Sequence, residues 1–292
     1  MITEESSQQQ LTPLPEEHGE PPVPVPGGSG LEPTTSEKED RWMPWVDVAK
    51  AIGIWIVSVL LLLFMPLVAI LPYVIYKLST VGPSVLTPEA LTQDKWLIFY
   101  SVVGILPTHV ITLAFTWFLV TEGGRSSFRK AIGWEWPGRP SRVVIFSILV
   151  ALGLYGIALG VTTIWGGKKT DLDLLIESSM YTRVATALVA VVTAPLVEEV
   201  IYRGVIYPAV EKVTGAGFAI AVVSLLFAGV HVFQYRTNIG VILVITALSF
   251  TLTIARAVTG KLLPSFIIHL VFNGIQSVLI VLSGFMDKDL IK

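Results

Sequence analysis

Residues 194–204 read APLVEEVIYRG, two adjacent glutamates and an arginine inside one of the most apolar parts of the chain. An ionised side chain facing lipid is costly, so such residues in a membrane helix face a protein interior and mark function. The spacing sorts them. At about 100° per residue, Glu199 and Arg203 lie one turn apart on nearly the same face and are able to pair. A pair of that kind compensates a buried charge. Glu198 points about 100° away from Glu199 and is the carboxylate left available for chemistry.

Outward from this stretch the chain reads as a membrane protein. Of its 292 residues, 53% are hydrophobic and 14% charged, against roughly 25% charged in a soluble domain. A span needs about 20 mostly apolar residues, and seven candidates follow: 48–76, 96–120, 142–165, 181–208, 215–234, 238–257 and 262–284. Strand alternation is absent, so the expected fold is all-α, a polytopic bundle of about seven or eight helices enclosing its active site. Prolines 66 and 72 are placed to bend the first span, and prolines 195 and 208 the fourth.

The first 40 residues differ from the rest. They hold nine acidic side chains against one basic, and seven prolines. Residues 1–45 therefore read as a disordered, acidic, proline-rich tail, and 46–285 as a transmembrane helical domain with a core at about 180–280. There is no cysteine, hence no disulfide, thiolate ligand or cysteine nucleophile. Arg125, Arg129, Lys130, Arg139 and Arg142 cluster after the second span, which favours a cytoplasmic loop there and a cytoplasmic N-terminal tail. In a bacterium the membrane would be the plasma membrane. No nucleic-acid partner is expected; the expected partners are the lipid bilayer and a membrane-associated protein or peptide.

Two further polar clusters lie in apolar helices. FAGVH at 227–231 sets Phe227 four residues before His231, and HLVFN at 269–273 sets His269 four residues before Asn273. A lone buried histidine is more often a structural hydrogen-bonder than a ligand, and an Asn in a membrane helix is often interhelical glue. Three clusters together point to a site. His109 stays outside this grouping. One tension remains on straight helices. Glu198 sits mid-span while His231 falls near the outer end of its span, so convergence requires the fifth helix to be short, broken or displaced.

The three motifs, EEVIYR at 198–203, FAGVH at 227–231 and HLVFN at 269–273, resemble those of the CAAX protease and bacteriocin-processing family of intramembrane endopeptidases, of the CAAX prenyl protease type 2 kind. The resemblance implies hydrolysis of a peptide bond at or within the membrane by an activated water. It implies Glu198, His231, His269 and Asn273 as catalytic, with Glu199, Arg203 and Phe227 in support. Such chemistry needs a base for the water and a preformed donor for the oxyanion. Two readings of the cofactor stay open. One places Zn2+ on Glu198, His231 and His269, a ligand set of the catalytic-zinc type; the other is a metal-free glutamate mechanism. Prenylated CAAX-type and bacteriocin-related substrates both fit the family. A non-catalytic partner, such as an immunity or assembly factor on the same scaffold, is the alternative. An ion-coupled transporter is a weaker one, because the two halves show no internal repeat.

Overall fold

The computed structural model describes residues 35–286. The tail through residue 34 lies outside them. The first helix runs Thr35–Val81, beginning before the boundary at 45 drawn from composition. Seven helices are long and apolar enough to cross a membrane: α1 (Pro44–Val81), α2 (Lys95–Val120), α3 (Pro140–Trp165), α4 (Met180–Thr214), α5 (Ala216–Tyr235), α6 (Ile239–Thr259) and α7 (Leu263–Met286). There is no strand among the described residues. The protein is an all-α, multi-pass membrane protein.

The ends of these helices are written locally. Asp94 caps α2, accepting from the amides of Trp96 and Leu97, which satisfies donors that a helix start leaves free. The Asn238 side chain does the same for α6. Gly215, at φ 82°, turns the chain back between α4 and α5 with a conformation that favours glycine. Gly104, inside α2, lies against Pro66 and Ala69 of α1; a Cβ there would stand 2.7 Å from the Ala69 Cβ.

The bundle is organised around α6, which packs on α3, α5 and α7. Leu248, Leu252, Ile268 and Phe272 interlock with Ala151, Leu154 and Ala158 of α3. The C-terminal part of α4 packs on α5 and its N-terminal part on α7. On the outer flank, α1 enters the core through Ala51, and Trp55 Nε1 donates to the Tyr202 hydroxyl at 3.0 Å.

Two features of α4 position the site. First, the helix continues to Thr214, beyond the expected end at 208. The α4–α5 turn at Gly215 is therefore displaced. Arg203 and Phe227 each lie twelve residues from that glycine, and Glu198 and His231 differ by one residue in their distance from it. In an antiparallel hairpin this brings each pair to one depth. Of the expected alternatives, a short, broken or displaced fifth helix, a break is absent: α5 is continuous over Ala216–Tyr235, and it is α4 that runs longer than expected.

Second, α4 widens twice into π-helical turns, at Val189–Thr193 and Val200–Ile206. Each widening ends just before a proline. The Ala194 amide reaches back five residues to Val189 O, and the Tyr207 amide five residues to Tyr202 O. The next residues, Pro195 and Pro208, carry no N–H. Ala190 O and Arg203 O, whose partners in this register would be those two residues, must find donors elsewhere.

Candidate active site

Glu199 and Arg203 are completely buried and paired, Nη1 to Oε1 at 2.9 Å. The other guanidinium nitrogens are also held. Nη2 donates to Ser249 O at 2.9 Å and to Ser249 Oγ at 2.7 Å. Nε donates to Thr253 Oγ1 at 3.2 Å. The guanidinium carbon stands 4.7 Å from the Phe227 ring centroid, a cation–π arrangement. A buried ion pair is tolerated when its geometry is good and its remaining hydrogen-bonding groups are satisfied, as the arginine's are here. Sequence reading finds the pair but not Ser249 and Thr253, two ordinary hydroxyl residues of α6 that only the packing singles out.

The same Glu199 oxygen, Oε1, lies 3.1 Å from His269 Nδ1. A carboxylate accepts, so Nδ1 carries the proton. His269 is 2% exposed, and its other nitrogen, Nε2, faces Glu198 Oε2 at 3.6 Å. The chain of groups thus runs Arg203, Glu199, His269, Glu198. Glu198 stands at its open end with 25% of its side chain exposed, whereas Glu199 is sealed. The two adjacent glutamates therefore occupy different environments, one buried among partners and one partly exposed. Glu199 Oε2 is buried without a hydrogen-bond partner among the described residues; the Ser265 side chain lies beside this carboxylate.

His231 completes the group. Its Nδ1 lies 2.8 Å from Phe227 O, and a carbonyl only accepts, so Nδ1–H is fixed and Nε2 is left as a lone-pair nitrogen. Phe227 is the common wall: its ring centroid is 4.7 Å from that of His231 and 6.0 Å from that of His269. Asn273 is bound differently from a free donor. Its Nδ2 donates to Ala190 O at 3.0 Å, the carbonyl that Pro195 leaves without a backbone partner.

His109, left outside the sequence grouping, belongs near this centre. Its Nδ1 is 2.8 Å from Thr193 Oγ1, and it lies within electrostatic reach of Glu198. The signal was present: an ionisable residue inside a span is a site candidate on its own. Tyr235 and Tyr202 also lie within reach of the Glu198 charge, and Tyr235 stacks on His231 with centroids 6.4 Å apart. Histidines 109, 231 and 269 share one disposition, each with Nδ1 engaged.

This arrangement supplies a partly exposed carboxylate, an oriented imidazole against it and a rigid ion-pair base. Those are the parts needed to hold and deprotonate a water. The residue types of a two-histidine, one-carboxylate zinc site are also present. Among the described residues, however, no three His, Asp or Glu side chains are gathered so as to hold a metal ion. Glu198, His231 and His269 as placed do not fit a preassembled metal site.

Residues 180–275 match the family model described as Rce1-like, type II CAAX prenyl endopeptidase Rce1-like. Comparison with curated proteins and with solved structures found no match. The matched segment begins at the first residue of α4 and ends two residues after Asn273, so it takes in all three motifs. Across α4–α7 the chain is thus similar to the Rce1-like family, consistent with the CAAX protease and bacteriocin-processing family that its motifs resemble.

Proposed function

We propose that the protein is an intramembrane endopeptidase that cuts a membrane-associated protein or peptide with a water activated by Glu198. The observation that carries this reading is the pair of unequal glutamates. Glu199 is sealed with Arg203 and His269, while Glu198, one residue earlier, is partly exposed with an imidazole nitrogen 3.6 Å away. A structural ion pair alone would not need the second carboxylate.

In the proposed reaction, water is held between Glu198 Oε2 and an imidazole Nε2. Glu198 takes one proton as the water oxygen attacks the scissile carbonyl carbon. The C–O bond forms, and the carbonyl π electrons move to oxygen as an oxyanion. Collapse of this intermediate expels the amine, which receives the proton from Glu198. Mutagenesis elsewhere puts such general acid–base help at about 10²- to 10⁴-fold. His231, with Nδ1–H fixed on a carbonyl, is assigned to assist through its Nε2. The second N–H of Asn273, beyond the one given to Ala190 O, is the donor assigned to the oxyanion. Glu199 and Arg203 hold His269 in orientation.

The substrate class rests on the family description, which names prenyl endopeptidases, and on the setting of the site among spanning helices. The basic loop between α2 and α3 supports placing that side, and the N-terminal end of α1, in the cytoplasm.

The test compares new peptide termini in membranes from cells expressing wild type or Glu198→Gln at matched levels. Termini that disappear with the substitution support the reading and identify substrates. Identical termini, with both proteins folded, overturn it.

A further inference from the structure

We infer that Arg256 is a positioning residue of the active site, its Nε–H standing in for the backbone donor that Pro208 denies to Arg203 O. This rests on the endopeptidase reading above. Arg256 lies on α6, 8% exposed, and belongs to none of the three motifs. Its Nε donates to Arg203 O at 2.9 Å.

That carbonyl is an orphan for a definite reason. The wide turn Val200–Ile206 closes with the Tyr207 amide on Tyr202 O, five residues back. The next amide in this register would be residue 208, and proline has none. A buried carbonyl without a donor is costly. Arg256 supplies the donor from the neighbouring helix. It is itself seated firmly, since its guanidinium packs against Gly133, where a Cβ would meet Nη1 and Nη2 at 3.1 Å. Tyr207 and Glu211 lie within electrostatic reach of it.

The same construction occurs thirteen residues earlier on α4. There Pro195 denies a donor to Ala190 O, and Asn273 of the third motif supplies it at 3.0 Å. The two clamps bracket Glu198 and Glu199. One fixes α4 before the glutamates and the other fixes the backbone of Arg203 after them. Because Arg203 holds Glu199, and Glu199 holds His269, the position of Arg203 O sets the orientation of the imidazole that faces Glu198.

The donor, rather than the charge, is the inferred function, and substitution separates the two. Glutamine places Nε2 the same number of bonds from Cα as arginine Nε. Arg256→Gln therefore keeps the donor and removes the charge, while Arg256→Met removes both. On purified full-length protein in proteoliposomes, with a peptide found to be cleaved by the wild type, Arg256→Met is expected to lower kcat about tenfold with KM within about twofold. Arg256→Gln is expected to stay within about threefold of wild type. Equal losses in the two variants, or none in either, overturn the inference.

Absence of any cleavage by the wild type would instead sink the protease reading, and the clamp is then read from stability. Pro208→Ala gives Arg203 O a backbone donor, so Arg256→Met should lower the thermal midpoint markedly in the wild-type background and much less with Pro208→Ala. The same drop in both backgrounds refutes the clamp whatever the enzyme does.

Discussion

Arg203 and Phe227 meet across the α4–α5 hairpin, each twelve residues from Gly215, with the guanidinium carbon 4.7 Å from the ring centroid. This contact ties the first motif to the second. The ring that faces the arginine also lies between His231 and His269, so the buried charge and the two imidazoles share a wall. Replacing Phe227 by Ala should therefore lower stability by about 3–5 kcal/mol, the usual range for emptying a buried aromatic position. Phe227→Leu should cost less yet still slow cleavage, because the cation–π contact and the ring stacking are lost. Denaturant unfolding and turnover of the two variants check this.

The two adjacent glutamates should respond differently. Glu198→Gln is expected to reduce cleavage by about 10²- to 10⁴-fold while leaving the thermal midpoint nearly unchanged, since this carboxylate is partly exposed. Arg203→Ala leaves Glu199 as an unpaired buried charge, and should destabilise by about 3–5 kcal/mol and reduce folded yield. A Glu198→Gln protein with full turnover would remove it as the base.

His231 offers a test of tautomer. Its Nδ1–H is tied to Phe227 O, a contact that the amide of asparagine is able to imitate. His231→Asn should fold and hold that hydrogen bond, yet lose about 10²-fold in kcat because nothing replaces Nε2. Folded protein measured by fluorescence-detected gel filtration, together with turnover, separates the two effects. Unchanged turnover would assign His231 to structure alone.

Trp55 joins α1 to the bundle through its 3.0 Å hydrogen bond to the Tyr202 hydroxyl. Trp55→Phe should cost about 1 kcal/mol of stability. Turnover should stay within twofold, because Tyr202 reaches the site through Phe227 by ring packing. A large loss of kcat at normal stability would place α1 in the catalytic apparatus.

One pH effect follows from the loop side. Glu135 is held below the usual carboxylate range by the Lys261 ammonium, which donates to it and attracts it. A depressed folded value means that the pair stabilises above the unfolded carboxylate range and ceases to do so as pH falls through the folded one. The difference in thermal midpoint between wild type and Glu135→Gln should shrink as pH falls through this window. High salt at neutral pH should also shrink it, as expected of an exposed pair.

Much of the fold was legible because its signals are local. Long apolar runs separate the seven spans without reference to any neighbour, and the i, i+4 spacing of Glu199 and Arg203 predicts their pairing from one helix alone. The end of α4 was less legible. Residues 209–214 read AVEKVT, polar enough to pass for a loop. They remain helical because they pack against α5, and those extra residues set the level at which Phe227 meets Arg203. His109, two residues after Pro107 in the second span, reads from sequence as a structural polar residue, and its partner Thr193 lies on another helix that local spacing does not reveal.

By itself, then, the sequence determined that the chain crosses the membrane as helices, that Glu199 and Arg203 are placed to neutralise each other, and that Glu198, His231, His269 and Asn273 are the candidate reactive groups. Each of these depends on residue type and spacing within a single helix. Only the tertiary structure decided which nitrogen of each histidine is occupied, that Ser249 and Thr253 complete the arginine, and that Asn273 and Arg256 serve carbonyls orphaned by Pro195 and Pro208. The physical reason is that a buried polar group must find a partner, and in a widened, proline-interrupted helix that partner lies on another helix, at a distance along the chain that no local pattern encodes.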